Sequence, residues 1–289
     1  MGKHLDAAKA YFARDSVGLL AGGRYALVHT RSLEFDDLRP YVPGDDVRDI
    51  DWKASARSGH TLIKQFISEK HHKILVVTDT GRNTSALAPS GEPKRDVAAH
   101  IIGAVGLITL PRSDEIGMVA GDRRGSIDIR LRRGETHVEC MLHRYHQQTI
   151  ADPGTSDIVT QLGWVARHYR HPMLIVVVSD EPEISEALGA VVRSLTARHD
   201  VLWAMIADMP AVDADAAGLG YDVADGRPIM DATILGDGVI GAYRRAEQQR
   251  RQHLSEFMTA HRIPHARIAA SSGIMPALVV ITGVYARAG

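Results

Sequence analysis

The sequence predicts an α/β fold in which a mostly parallel sheet is covered by helices on both faces. Three apolar runs carry this prediction: ILVVTD (74–79), MLIVVVSD (173–180) and VLWAMIAD (201–208). None of the three alternates between apolar and polar residues, which is typical of strands that are buried on both faces. Amphipathic stretches separate the runs, as expected for the crossover helices of a parallel sheet.

The remaining elements follow in chain order. Helices are predicted over about residues 5–20, 94–110, 135–148, 156–170, 183–199 and 240–261. The segments IGMVAGD (116–122) and SIDIRLRR (126–133) are predicted to form a hairpin, and the alternation in the second segment indicates one solvent-exposed face. The final apolar segment, ALVVITGVYA, is compatible with a strand or a helix.

These elements predict three regions along the chain. A smaller N-terminal region with a helix, some β-structure and a block of charged residues covers 1–72. The α/β domain covers 73–210, and a C-terminal extension, 211–289, is expected to complete the same domain.

Composition restricts the classes of function. The chain has 34 basic and 35 acidic residues, so a global attraction to nucleic acid is not expected. A local phosphate-binding patch stays open as an alternative, because arginines cluster at two places: Arg123, Arg124, Arg130, Arg132, Arg133, Arg244, Arg245, Arg250 and Arg251. The single cysteine suits a reducing compartment, and no apolar run is long enough to cross a bilayer, so we expect a cytoplasmic protein without membrane insertion.

Aspartates end the predicted strands. Asp79, Asp180 and Asp208 close the three buried runs, and Asp122 closes the first strand of the hairpin. Ligands of open parallel sheets bind outside the carboxyl ends of the strands. Carboxylates gathered there suit a hard divalent cation such as Mg²⁺, although an aspartate at a strand end also commonly opens a loop or caps a helix.

The loop DTGRNTS, which follows the first buried run, resembles the metal-ion-dependent adhesion site of von Willebrand factor A domains, Asp-x-Ser-x-Ser. Asp79, Thr155 and Asp180 match the first aspartate, the later threonine and the later aspartate of that site, whereas Gly81 and Asn83 replace its serines. The resemblance implies a von Willebrand A-like, Rossmann-type sheet. It also implies a degenerate adhesion site in which Mg²⁺ would be held by Asp79, Asn83, Thr155 and Asp180.

A dense block of mixed charge, YVPGDDVRDIDWKASARSG (41–59), precedes the first buried run. Its PGDD segment predicts a turn. We expect Trp52 to occupy a pocket, with the surrounding charges partly buried and paired. A solvated helix with surface ion pairs, such as Asp49 with Lys53 four residues later, is one alternative. A nuclease-like Asp…Asp-x-Lys pattern is another, but its residues are too close in the chain to lie on adjacent strands.

The same block, extended over residues 35–69, closely resembles the domain-of-unknown-function fifty-eight family. The residues that carry the resemblance include Arg39, Gly44, Asp45, Asp46, Arg48, Asp51, Trp52, Lys53 and Arg57. Many members carry N-terminal membrane helices, and this sequence resembles the soluble branch. The resemblance implies an accessory role beside a MoxR-type AAA+ ATPase, in protein maturation or complex assembly, and no established catalytic activity.

Two functions from different classes follow. The first is a non-enzymatic interaction module that presents the edge formed by Asp79, Thr155 and Asp180 to a partner, with Mg²⁺ completed by a partner carboxylate. The second is a metal-dependent hydrolase that uses Asp79 and Asp180. The sequence favours the first, because it offers no obvious pair of nucleophile and base in the relevant loops.

Overall fold

The computed structural model describes residues 2–12, 34–42, 45, 47, 50–67, 72–210, 220–224, 226–229 and 236–288. The chain divides into two compact units. The larger unit comprises Met1–Leu27 and His72–Gly289, and the smaller comprises Val28–His71.

A six-stranded sheet forms the centre of the larger unit. Its strands are β3 (Lys73–Asp79), β4 (Glu115–Asp122), β5 (Gly125–Arg132), β6 (Leu174–Asp180), β7 (Asp200–Ile206) and β10 (His265–Ile268). They lie in the order β5-β4-β3-β6-β7-β10, and every pairing is parallel except that of β4 with β5. Numbered by appearance within this sheet, the order is 3-2-1-4-5-6, the order of doubly wound nucleotide-binding folds.

Helices cover both faces of this sheet. In the larger unit they are α1 (Lys3–Phe12), α3 (Lys94–Thr109), α4 (Glu135–Ile150), α5 (Ile158–His168), α6 (Glu186–Thr196), α7 (Asp237–Ala260) and α8 (Ile274–Ala288). The alternating side chains of β3 show the two faces. Ile74 and Val76 belong to the core under α1, α3, α4 and α8, whereas Leu75 and Val77 belong to the core under α5, α6 and α7. The predicted α/β class, a mostly parallel Rossmann-type sheet with helices on both faces, is confirmed.

The helices near the two ends of the chain, α1 and α8, pack into the same core. The predicted helix 5–20 corresponds to α1, and residues 13–20 lie outside the described residues. Leu5 and Phe12 on α1 are buried in the core of the larger unit. The final apolar segment forms α8, whose Leu278 and Ile281 pack into the same core. Among the described helices, none has both the length and the apolar character needed to cross a membrane.

The smaller unit contains an antiparallel pair, β1 (Glu34–Pro40) and β2 (Leu62–Ile67), joined by a segment with a short helix, α2 (Trp52–Ser58). Asp51 caps α2, since its Oδ1 accepts a hydrogen bond of 2.9 Å from the amide of Ala54. Ile50, Ala54 and Ile63 are buried. A further two-stranded ribbon in the larger unit consists of β8 (Gly220–Tyr221) and β9 (Pro228–Ile229).

The expectation that Trp52 occupies a pocket is wrong. Its side chain is 69% exposed, because it is the first residue of α2 and the buried residue of that helix is Ala54. Lys53 and Arg57 on the same helix are also exposed. The charges of this helix are therefore not buried around the tryptophan.

Candidate functional site: the carboxyl edge of the sheet

The carboxyl edge of the six-stranded sheet is the candidate site. From β3 the chain continues to β4 on one side, whereas from β6 it continues to β7 on the other side. The neighbouring strands β3 and β6 therefore flank the point at which the strand order reverses, where ligands of such sheets bind. Asp79 ends β3 and Asp180 ends β6, so the sequence placed both carboxylates at this switch point.

A buried lysine lies between the acids of this edge. Lys94 is the first residue of α3 and is 1% exposed. Its Nζ atom donates a hydrogen bond of 3.0 Å to Oδ1 of Asp180 and another to Asp208. A cation at a helix N-terminus is disfavoured by the helix dipole, so these carboxylates are needed to hold it there. Burial by itself would lower the pKa of Lys94, but Asp180 and Asp208 outweigh it and raise the pKa, which keeps the ammonium charged.

Asp79 is held by groups of its own loop and of the segment before α5. Its Oδ1 accepts a hydrogen bond of 3.1 Å from the amide of Gly81, and the hydroxyl of Ser156 is a second partner. Burial raises the pKa of Asp79 in spite of these hydrogen bonds. Ser156 Oγ also accepts from the amide of Asn83 at 3.1 Å, so Asn83 joins this cluster through its backbone. Thr155 is exposed.

The carboxylates of the switch point border a small cavity. Asp79, Lys94, Asp180 and Tyr145 line it, and its volume of about 10 Å³ is enough for about one water molecule. Tyr145 is 1% exposed, and its hydroxyl has no hydrogen-bond partner among the residues that the structure describes. Burial and the charges of Asp79 and Asp180 raise the pKa of Tyr145 well above its ordinary value, so the hydroxyl keeps its proton. Burial also raises the pKa of Asp180 to about 6, with Lys94 opposing the shift.

The arrangement does not fit a divalent cation at the predicted ligands. A Mg²⁺ ion needs near-octahedral oxygen ligands and usually keeps several waters. Asp180 is instead bound to the ammonium of Lys94, and Thr155 is exposed. Within the described residues, no three His, Cys, Asp or Glu side chains converge closely enough to hold a metal ion. The magnesium site stays a prediction from the sequence, and Lys94 is the obstacle to it.

Two further ion-pair clusters border the same edge. Asp122, at the end of β4, accepts hydrogen bonds from Arg124 and from the amide of Gly154, and Arg124 also contacts Asp152. Burial would raise the pKa of Asp122, but these hydrogen bonds outweigh it and the pKa lies below its ordinary value.

Glu181, directly after β6, is the centre of the second cluster. Its side chain is 1% exposed and receives hydrogen bonds from Arg250 of α7 and Arg267 of β10. Arg250 also donates to Glu247 on α7 at 2.7 Å. The cluster therefore joins α7 and the edge strand β10 to the end of β6.

Some residues of this edge were missed by sequence reasoning. Lys94 had a signal: it lies three and four positions before Val97 and Ala98, so it shares the buried face of α3. Ser156 is one position after the threonine that the resemblance singled out. Arg124 and Arg250 were considered as phosphate ligands, but their guanidinium groups are bound to carboxylates.

The family-signature residues lie in the smaller unit. Arg39 forms a two-pronged pair with Asp45, with Nη1 2.7 Å from Oδ2 and Nη2 2.8 Å from Oδ1. Asp45 Oδ2 also accepts from the amide of Val42 at 3.0 Å. The pair fixes the turn that follows β1. Other signature residues, namely Gly44, Asp46 and Arg48, lie outside the described residues.

Comparison with known sequences assigns the family. The family described as "Protein of unknown function DUF58" matches residues 37–219, more than half of the chain. The chain belongs to this family. Similar curated proteins are uncharacterized proteins of Mycobacterium bovis and of two Mycobacterium tuberculosis strains, each 26% identical over 207 residues, or 70% of this chain. The chain spans 63% of the length of these relatives.

Several solved structures resemble this DUF58 chain. An aerotolerance-related membrane protein from Bacteroides fragilis is 14% identical, with a TM-score of 0.48 over 73% of this chain and 99% of that one. A von Willebrand factor type A protein from Catenulispora acidiphila is 12% identical, with a TM-score of 0.43 over 78% of this chain and 43% of that one.

Proposed function

We propose that this DUF58 protein is a non-enzymatic interaction module whose binding surface is the carboxyl edge of the six-stranded sheet. The family resemblance supplies the partner, a MoxR-type AAA+ ATPase, and an accessory role in protein maturation or complex assembly. Switch points of open sheets are their usual ligand sites, which supports the choice of this edge.

One observation carries the proposal. Leu87 and Met209 are two large apolar residues, 43% and 38% exposed, and they are adjacent because the amide of Met209 donates a hydrogen bond of 3.1 Å to the carbonyl of Leu87. Met209 directly follows Asp208, which binds the buried Lys94. Exposed apolar side chains beside fixed charges are the usual composition of a protein interface, with an apolar centre and a polar rim.

The charges around these apolar residues are already paired within the chain. Asp180 and Asp208 share Lys94, and Glu181 is bound by Arg250 and Arg267. A surface whose side chains are held in place before binding loses less conformational entropy when a partner docks. This supports a binding role for the edge over a catalytic one.

The test is a binding measurement with the cognate MoxR-type ATPase. We expect Leu87→Asp together with Met209→Asp to weaken binding at least about tenfold, as substitutions of central interface residues do. The matched control is Val279→Asp with Val280→Asp, since these valines are 51% and 57% exposed on the outer face of α8. Equal affinity of the edge variant and the wild type, with unchanged circular dichroism, would refute the proposed surface.

A metal-dependent hydrolase is the second candidate: the raised pKa values of Asp79 and Asp180 favour it, whereas the ammonium of Lys94 at Asp180 opposes a metal ion there. Carboxyls with raised pKa values at a switch point are a common feature of catalytic sites. The assay is hydrolysis of generic phosphate and ester substrates with Mg²⁺ or Mn²⁺. Turnover by the wild type that is lost in Asp79→Ala would establish the hydrolase and displace the interaction module.

A further inference from the structure

We propose that Lys94 is a tethered cation that takes the place of a divalent metal ion at the switch point and prevents one from binding there. The ammonium would supply the positive charge that the carboxylates of Asp180 and Asp208 need. This deepens the function proposed above, since the edge would then meet its partner without metal. The exclusion of metal itself does not depend on that function.

The ammonium of Lys94 balances the negative charge of the carboxylates at this edge. Asp79, Asp180 and Asp208 bring three carboxyl groups to one end of the sheet, and they come from segments far apart in sequence. Asp180 and Asp208 lie on either side of one ammonium group, and without a cation between them their carboxylates would repel one another. Lys94 contacts Asp180 and Asp208 directly, and both contacts are made by the same Nζ atom.

The space beside Asp180 is too small for a hydrated metal ion. A Mg²⁺ ion bound to Asp180 would lie about 2.1 Å from a carboxylate oxygen. The ammonium of Lys94 lies 3.0 Å from Oδ1 of Asp180, so it occupies the space that such an ion would need. The remaining cavity of about 10 Å³ has room for about one water molecule and not for a hydrated Mg²⁺ ion. Two cations at this separation would also repel each other strongly.

The Lys94 side chain cannot easily withdraw from Asp180 and Asp208. The residue is 1% exposed and is fixed at the start of α3, whose next turns are buried in the core. Moving its ammonium away would leave Asp180 without its cation, and removing one partner of a buried pair is strongly unfavourable.

Tyr145 supplies an independent observation. Its hydroxyl is buried at the same cavity and has no hydrogen-bond partner within the described part of the chain. A buried hydroxyl without a hydrogen-bond partner destabilises the folded protein. The cavity has room for about one water molecule, which would supply the missing hydrogen bond. The cavity is therefore suited to a neutral, water-sized occupant, while the positive charge is supplied by Lys94.

Titration of the full chain with Mn²⁺, followed by the electron paramagnetic resonance signal of the free ion, tests the proposal. We expect no saturable binding by the wild type or by Lys94→Arg, which keeps the charge. Lys94→Ala should gain a site for a single Mn²⁺ ion. Adding Asp180→Asn to that variant should weaken binding at least about tenfold, because a ligand is lost.

Lys94→Ala leaves buried carboxylates without a cation and risks unfolding, so Lys94→Ala with Asp208→Asn serves as a second variant with less negative charge. Asp208 is suitable because half of its side chain is exposed. Saturable Mn²⁺ binding by the wild type that is lost in Asp79→Asn would overturn the proposal. So would the absence of Mn²⁺ binding in both alanine variants when circular dichroism shows them folded. Neither result bears on the Leu87 and Met209 binding test, so the two proposals fail separately.

Discussion

Gly81 lies against Ser156 so closely that a Cβ atom on Gly81 would stand 2.5 Å from the Cα, N and Oγ atoms of Ser156. Two of these atoms belong to the backbone, which cannot turn aside as a flexible side chain can. The missing serine of the adhesion-site pattern thus has a structural cause. The segment that carries Ser156 closes onto the loop after β3 and hydrogen-bonds Asp79 there, which requires a glycine at position 81.

Gly81→Ser should therefore destabilise the protein and not restore a metal site. We expect a loss of about 1–3 kcal/mol in the free energy of unfolding, the usual cost of overpacking, measured by urea denaturation. The matched control is Gly236→Ser, since no atom of the described residues lies within 4 Å of a Cβ there and position 236 is the N-cap of α7, where serine is favourable. Unchanged stability together with Mg²⁺-dependent stabilisation of Gly81→Ser would contradict this reasoning.

Glu181→Gln should be among the most destabilising changes at the sheet edge. It leaves Arg250 and Arg267 without the carboxylate that both contact, and breaking a buried charge pair typically costs about 3–5 kcal/mol. Part of that loss is screened because both arginines are partly exposed, so we expect about 2–3 kcal/mol by chemical denaturation. Glu183→Gln, at an exposed position of the same loop, should change the free energy of unfolding by less than about 0.5 kcal/mol. Similar effects of the two changes would show that Glu181 is not buried among its arginines.

Trp52→Ala should leave the stability of the smaller unit almost unchanged, within about 0.5 kcal/mol, because its side chain is 69% exposed. Ile63→Ala is the comparison, since Ile63 is 4% exposed and such truncations cost about 2–5 kcal/mol. Loss of β-structure during denaturation, followed by circular dichroism, measures both. If the tryptophan variant is destabilised as much as the isoleucine variant, the indole is packed and not exposed.

The contact between α1 and α4 should weaken in mild acid. His4 on α1 lies near His143 and His146 on α4, with ring centroids 5.8 and 5.1 Å away. Burial lowers the pKa of His4 below 6.5. Glu139 opposes the shift, whereas the two histidines and Lys3 add to it.

Because the folded-state pKa of His4 is lowered, the unfolded chain takes up this proton first as the pH falls. The stability that neutral His4 contributes is present above pH 6.5 and is lost as the pH falls below that value. Comparing melting temperatures at about pH 7.5 and 5.5 should show a smaller loss in His4→Gln than in the wild type. His253→Gln, an exposed change on α7, is the control and should lose as much as the wild type. An equal acid-induced loss in the His4 variant would exclude this role of His4.

The sheet and its strand-end acids could be predicted because a strand covered on both faces has almost no polar residues until it ends. Asp79 and Asp180 follow directly from that rule. The position of Lys94 could not be predicted in the same way, because its partners lie 86 and 114 residues further along the chain. Its place three residues before Val97 was a hint, but the first residue of a helix is commonly exposed. The burial of Trp52 was predicted from its residue type. That prediction fails because the buried face of α2 contains Ala54 and not Trp52.

The two lateral borders of the sheet differ from its carboxyl edge. The outer strand β5 exposes Asp128, Arg130 and Arg132, and the opposite outer strand, β10, has four residues. Charged or very short border strands discourage a strand from another molecule from adding to the sheet. Edge-to-edge pairing of the sheets of neighbouring copies into a continuous ribbon is therefore disfavoured. Association through the proposed carboxyl edge would instead depend on the side chains at the strand ends and not on backbone pairing.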